Sequence, residues 1–176
     1  MDKKVHSGQK LLFFEVFICA LLCVFCLFSC SKSIKDPLFY KEKAFFARVK
    51  ASGLGGDFEA IFFVSEDKSS FSAELTSPQS LSGIVLSQEG SEMSISLGEK
   101  KFLEGESEIL RGLKIGKIAE MLAPGGKVTA IKSEGGLTAV TVGDVKVYID
   151  PKTSLPVAAE SEGIVITVLD FWYSEK

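Results

Sequence analysis

Beyond residue 30 this 176-residue chain contains no cysteine and no histidine. Its four cysteines, Cys19, Cys23, Cys26 and Cys30, all sit near the N-terminus, and its only histidine is His6. The part after residue 30 therefore has no thiol pair to oxidise, so neither a disulfide framework nor a thiolate metal site can be built there. Enzyme chemistry is short of parts too, because the commonest general base and the most reactive nucleophile are both missing. A serine–lysine or carboxylate pair remains chemically open, but no spacing points to one, and no cofactor is implied. Concentrated positive charge is absent as well. The first 29 residues carry Lys3, Lys4 and Lys10 against Asp2 and Glu15, leaving a formal −4 on the remainder of a chain of net −3. Phosphate backbones need a basic face, so nucleic acid is excluded as a partner.

What the chain does have is one long apolar run. Leu11 to Cys30 reads LLFFEVFICALLCVFCLFSC behind three lysines, which is the build of an export signal. Its length also approaches the 20 or so residues that span a bilayer, so an uncleaved membrane anchor is the rival reading. The junction favours cleavage. Leu27-Phe28-Ser29-Cys30 resembles the bacterial lipobox, with leucine three places before the cysteine and a small residue directly before it; Phe28 is bulkier than usual. The resemblance implies lipidation of Cys30 with diacylglycerol and a fatty acid such as palmitate. The implied organisation is a signal peptide over 1–29, a lipidated N-terminus and tether over 30–43, and one domain over 44–176. Either reading puts that domain outside the cytoplasm and ties it to a membrane.

Ser31 to Tyr40 is short, with Asp36-Pro37 as a turn signal. Lys41 and Lys43 follow and could meet acidic headgroups or simply be solvated. Then the pattern turns to period two. Phe45, Ala47, Val49 and Ala51 alternate with polar or outward residues, Gly53, Gly55 and Gly56 supply a turn, and Phe58, Ala60, Phe62 and Val64 return. Further strands are expected at Phe71–Leu75, stopped by Ser77-Pro78, and at 84–87 and 93–97. Around Glu108 the period changes: Ile109, Leu110, Leu113, Ile118, Met121 and Leu122 share one helical face, ended by Pro124-Gly125-Gly126. Glu104, Glu106 and Glu108 read as the solvated approach to that helix. Five more strands follow, over 128–132, 137–142, 145–149, 157–160 and 164–169. The fold class expected is mainly β (α+β): a curved antiparallel sheet forming a half-open barrel, with a helix packed in or across the concavity.

Two segments carry a family resemblance. Leu75–Leu86, LTSPQSLSGIVL, resembles the Pro-x-x-Leu-x-Gly segment of the carriers and acceptors of the outer-membrane lipoprotein-sorting pathway, the LolA/LolB-like superfamily. Val147–Val157, VYIDPKTSLPV, is similar to their strand, Asp-containing turn and Leu-Pro return. The resemblance covers about Ala44 to Tyr173, and it implies an incomplete barrel whose apolar cavity holds acyl chains. The function it implies is a lipid-anchored extracytoplasmic protein, closer to the acceptor than to the soluble carrier, that binds lipid or lipidated protein without catalysis. The alternative is a non-catalytic scaffold lipoprotein that recruits an envelope or spore-cortex enzyme. The location follows as the outer leaflet of the cell membrane, or the outer membrane of a cell that has one.

The candidate cavity wall is Phe58, Phe62, Phe71, Leu75, Leu86, Met93 and Ile95, apolar residues on consecutive strands. The same seven also describe an ordinary filled core. Phe62-Phe63 puts one ring on each face of its strand, so one ring needs a cover from outside the core. Asp150, with Pro151 and Pro156, reads as turn chemistry rather than as an acid or metal ligand. Trp172 fits either a membrane or partner interface or a cap on the end of the barrel.

Overall fold

The computed structural model describes residues 36–53, 56–105 and 114–175. Cys30 and the apolar run before it lie outside the described residues, as do Glu106, Glu108 and the first residues of the expected helix. No helix among the described residues is long and apolar enough to cross a membrane.

Eleven strands form a single antiparallel sheet: β1 (Phe45–Ser52), β2 (Phe58–Val64), β3 (Ser70–Ser77), β4 (Ile84–Glu89), β5 (Glu92–Leu97), β6 (Lys100–Gly105), β7 (Val128–Glu134), β8 (Leu137–Val142), β9 (Val145–Ile149), β10 (Pro156–Ser161) and β11 (Ile164–Tyr173). Their spatial order is β6-β5-β4-β3-β2-β1-β11-β10-β9-β8-β7. Two meanders, β1–β6 and β7–β11, are thus joined at the middle by the first strand pairing the last. β6 and β7 remain as the two edges, so the sheet curves without closing. Lys100, Lys101 and Lys132 lie on those edges, where charge discourages pairing with another chain. Helix α1 (Ile115–Leu122) sits between β6 and β7 in sequence and lies against the inner face.

Period-two alternation places the core. Phe45, Ala47, Val49 and Ala51 of β1, Ala60, Phe62 and Val64 of β2, and Ala73 and Leu75 of β3 all point inward and are buried. Val140, Val142, Val147, Ile149, Ile164 and Ile166 do the same on the other meander. Into this trough α1 inserts Ile115, Ile118, Met121 and Leu122. β11 keeps the alternation only to Val168. There the register against β1 shifts between Arg48 and Val49, so that Val49 faces Val168 while Arg48 faces Asp170. Leu169 is the extra residue of this bulge, and beyond it Phe171 and Tyr173 pack against the core.

The structure moves several boundaries. A strand, β6, covers Lys100–Gly105, so Glu104 is backbone-paired with Ser94 rather than leading into a helix. The described helix spans only Ile115–Leu122 and begins after Lys114, which holds a left-handed φ of 51°. The stretch expected to be tether also contributes to the domain. Leu38 and Tyr40, at and beside a 3-10 turn over Phe39–Glu42, are fully buried in the core.

Candidate ligand groove

Three ties set the position of α1. Its apolar face packs on the trough as described. At its C-terminus the buried Tyr40 hydroxyl donates to the Leu122 carbonyl at 2.8 Å, and Lys41 Nζ donates to the Pro124 carbonyl at 2.5 Å. The Tyr40 bond takes up a carbonyl that the end of a helix leaves without an intrahelical partner, and the Lys41 bond ties the turn that follows it. On its flank Lys117 Nζ donates to Asp144 Oδ2 at 2.7 Å and to Glu120 Oε2 at 3.2 Å, and Ser161 Oγ donates to the same Asp144 oxygen at 2.5 Å. The Lys117 and Ser161 bonds hold the Asp144 carboxyl down at about 2, and Asp144 in turn raises the Lys117 ammonium. The helix is therefore moored to the β8–β9 turn on one side and to the N-terminal turn at its end.

Its other side is free, and a groove of about 630 Å3 runs there between α1 and the ends of β2, β3 and β4. Val64, Phe71 and Gln88 come from the sheet, Gly116, Ala119 and Ala123 from the helix side, and Lys41, Lys68 and Glu120 stand among the polar lining. Small residues on the helix face are what keep the space open. A Cβ at Gly116 would already touch Gln88 Oε1 at 3.5 Å and the Phe71 ring at 3.7 Å. The polar groups are turned to local partners: Gln88 donates to the Gly90 carbonyl at 2.8 Å, and the Lys68 ammonium donates to the Glu66 carbonyl. The turn at the groove's lip is stiffened by Asp67. Its Oδ1 accepts from Ser65 Oγ at 2.7 Å and Ser69 N at 3.0 Å, and its Oδ2 from Ser69 Oγ at 2.7 Å. Those bonds, the serine hydroxyls first, hold its carboxyl at about 2.

Of the seven residues read as a cavity wall, Phe71 lines this groove. Phe62, Leu75 and Leu86 are buried in the core, while Phe58, Met93 and Ile95 are partly buried and pack against it. The concavity at their level is occupied by protein side chains. At one end it is filled by rings: Phe45 stacks on Phe171 at 4.9 Å, Tyr40 meets both edge-on, and Tyr173 meets Phe171 edge-on at 5.5 Å. Sequence reading gave Lys41 to headgroups or solvent, whereas its Nζ bonds the Pro124 carbonyl, and it gave Tyr40 and Gly116 no part in a site; the three come together only once the N-terminal turn, the helix and the sheet are assembled. A glycine inside an otherwise apolar helical stripe was the one signal on offer.

The remaining candidates resolve locally. Asp150 is a turn residue, accepting from Lys152 N at 2.9 Å and Thr153 Oγ1 at 3.2 Å. Among the described residues there is no cluster of three or more histidine, cysteine, aspartate or glutamate side chains able to hold a metal ion. Trp172 lies within β11 on the outer face, not across the barrel's end, and stacks on Phe46, which is the ring that covers Phe63.

Fold and groove together define a class: half-open antiparallel barrels with a helix laid over the inner face and a cleft along one side of that helix. The order of strands, helix and strands is the one the LolA/LolB-like resemblance implies. No family model matches the sequence, and no curated protein matches it. Among solved structures the chain is similar to an uncharacterised conserved protein from Thermus thermophilus, at 13% identity and a TM-score of 0.49, over 83% of this chain and 88% of that one. It is also similar to a LolA superfamily protein from Nitrosomonas europaea, at 10% identity and TM-score 0.41, over 79% and 93% of the two chains. A domain from Vibrio parahaemolyticus described as an outer-membrane lipoprotein-sorting protein gives 8%, 0.38, 81% and 91%. These likenesses concern strand arrangement alone.

Proposed function

We propose that the protein is a lipoprotein of the bacterial envelope, anchored through Cys30, whose half-barrel accepts an acyl chain or a lipidated polypeptide in the groove beside α1 and performs no chemistry on it. The observation that carries this reading is the groove itself. Its volume of about 630 Å3 falls within the roughly 300–1,000 Å3 typical of ligand pockets. Val64, Phe71, Ala119 and Ala123 give it apolar walls, and the stems of Lys41 and Lys68 lie along it with their charges turned to carbonyls. Ten methylenes seated there would contribute about 8 kcal/mol before the cost of ordering the chain. A helix moored on one flank and at one end leaves the other flank able to admit a ligand.

Native mass spectrometry of the full chain extracted from membranes tests this. Expected are a diacylglycerol-modified Cys30 and a co-purifying acyl species, the latter lost on Gly116→Leu with the far-ultraviolet spectrum unchanged. Absence of any bound lipid, together with full function of Gly116→Leu in the host, refutes the groove as a ligand site.

The burial of Phe62, Leu75 and Leu86 favours a second reading, in which a filled half-barrel is a rigid scaffold that recruits an envelope or spore-cortex enzyme. That reading requires a protein partner in pull-downs and indifference to groove-filling substitutions.

A further inference from the structure

One row of the sheet's outer face is aromatic. Phe46 of β1 is paired with Trp172 of β11 on one side and Phe63 of β2 on the other. The indole lies parallel to the Phe46 ring, 5.5 Å away and 9° inclined, and Phe63 sits at 5.0 Å. Trp172 is 42% exposed, and along β11 Val165 and Leu169 are exposed too. The indole N–H has no acceptor among the described residues. Cross-strand pairing explains why the three rings stack on one another, but not why the outer surface of the row is left to solvent, with Phe46 and Phe63 only half-buried.

The row's place in the chain indicates what covers it. Phe46, Phe63 and Trp172 each stand one residue in from the strand ends at the side of the barrel where the chain enters β1. Burial of Leu38 and Tyr40 fixes the chain to the domain from Leu38 onward. From Cys30 to Pro37 is seven residue steps, a fully extended reach of at most about 25 Å. With Cys30 lipidated, that end of the barrel stays within one tether length of the bilayer, and the aromatic row stays with it. Charge is not the attraction. Beside the row Arg48 is paired with Asp170 at 2.6 Å, and the same end carries Glu42, Glu66, Asp67 and Glu89 as well as lysines.

We propose that Trp172, Phe46 and Phe63 form a membrane-docking surface, seating the domain in the interfacial layer of the bilayer that holds its lipid, by apolar insertion rather than by anionic headgroup binding. Tryptophan suits that layer, with an apolar ring body and an N–H for a headgroup oxygen. The proposal rests on the lipid-anchor reading. It extends that reading by orienting the domain, and it leaves the groove at the edge of the bilayer's reach.

Trp172 is the single tryptophan, so its fluorescence reports the row directly. The full chain purified from membranes is placed in phosphatidylcholine vesicles with and without lipids brominated near the headgroup, and again with phosphatidylglycerol added. Expected are loss of Trp172 emission to the brominated lipid, shielding from aqueous acrylamide, and the same result with phosphatidylglycerol and at raised salt. Phe63→Ser, with its far-ultraviolet spectrum intact, should lower the loss to brominated lipid. Emission unaffected by bromine overturns the proposal. If Trp172 is then still shielded from acrylamide, the row belongs to a protein partner or a second copy. The N-terminal peptide mass from the same preparation separates the two readings. Modified Cys30 with unquenched Trp172 removes the docking alone, whereas unmodified Cys30 removes the anchor and the docking that depends on it.

Discussion

Tyr40→Phe removes a single oxygen and isolates the bond that moors α1. In the parent the Tyr40 hydroxyl, with no solvent exposure, donates to the Leu122 carbonyl at 2.8 Å. The phenylalanine keeps the ring contacts to Phe45 and Phe171 but leaves a helix-terminal carbonyl short of its partner. A buried acceptor stranded in this way costs about 1–3 kcal/mol. Taking about 1.5 kcal/mol, a domain of this size should lose about 3–6 °C in Tm. Urea titration followed by far-ultraviolet circular dichroism measures it as a lower midpoint with an unchanged slope. Tyr40→Ala adds loss of the ring and should cost about 3–5 kcal/mol in all. The difference between the two variants is the aromatic packing, and the smaller effect is the hydrogen bond. If Tyr40→Phe falls within the roughly 0.5 kcal/mol of neutral substitutions, water replaces the hydroxyl and the mooring argument fails.

Gly116→Ala should raise stability by up to about 1 kcal/mol through helix propensity, because the new methyl makes only ordinary contacts with Gln88 and Phe71; a fall in Tm would show that the helix has no room to spare. Gly53→Ala should do the opposite. There a Cβ would lie 2.1 Å from the Gly163 carbonyl oxygen at a φ of 91°, a loss of about 2 kcal/mol or more, and a variant as stable as the parent would contradict that packing. Asp67, depressed to about 2, supports its turn fully above the unfolded carboxylate range and loses that support as pH falls through about 2. The gap in turn protection between parent and Asp67→Asn, followed by amide exchange at Ser69 and Ser70, should therefore close in acid; a gap independent of pH would rule the carboxylate out.

Most of the strands were legible because each buries one face only, and ten of the eleven announce themselves by alternation. β6 did not. Its Lys-Lys-Phe-Leu-Glu run has an exposed Phe102 beside an inward Leu103, and edge charge disguised it as the approach to a helix. The last strand was expected to stop at 169, short of Phe171 and Tyr173, because the bulge at Leu169 reverses the parity that a period-two pattern relies on. The Leu38 and Tyr40 contacts were hidden for a different reason: two apolar residues in a short turn carry no period, and their burial depends on a helix some 80 residues away. The groove was legible only in outline. Apolar strand faces cannot say by themselves whether a helix fills the space between them, and here it fills all but one flank.

The pairing of β1 with β11 has a bearing on biogenesis. A chain emerging amino end first exposes Phe45 and its neighbours long before Tyr173 arrives to lie beside them. Local hairpins can zip as they appear, but the central seam closes only by joining the first and last strands of the sheet, which is slow work for loop-closure entropy. Until then the half-made trough is greasy and unpaired along its first strand. A chaperone that shields nascent β1, or a nearby lipid surface doing the same, would decide how much of the product escapes aggregation.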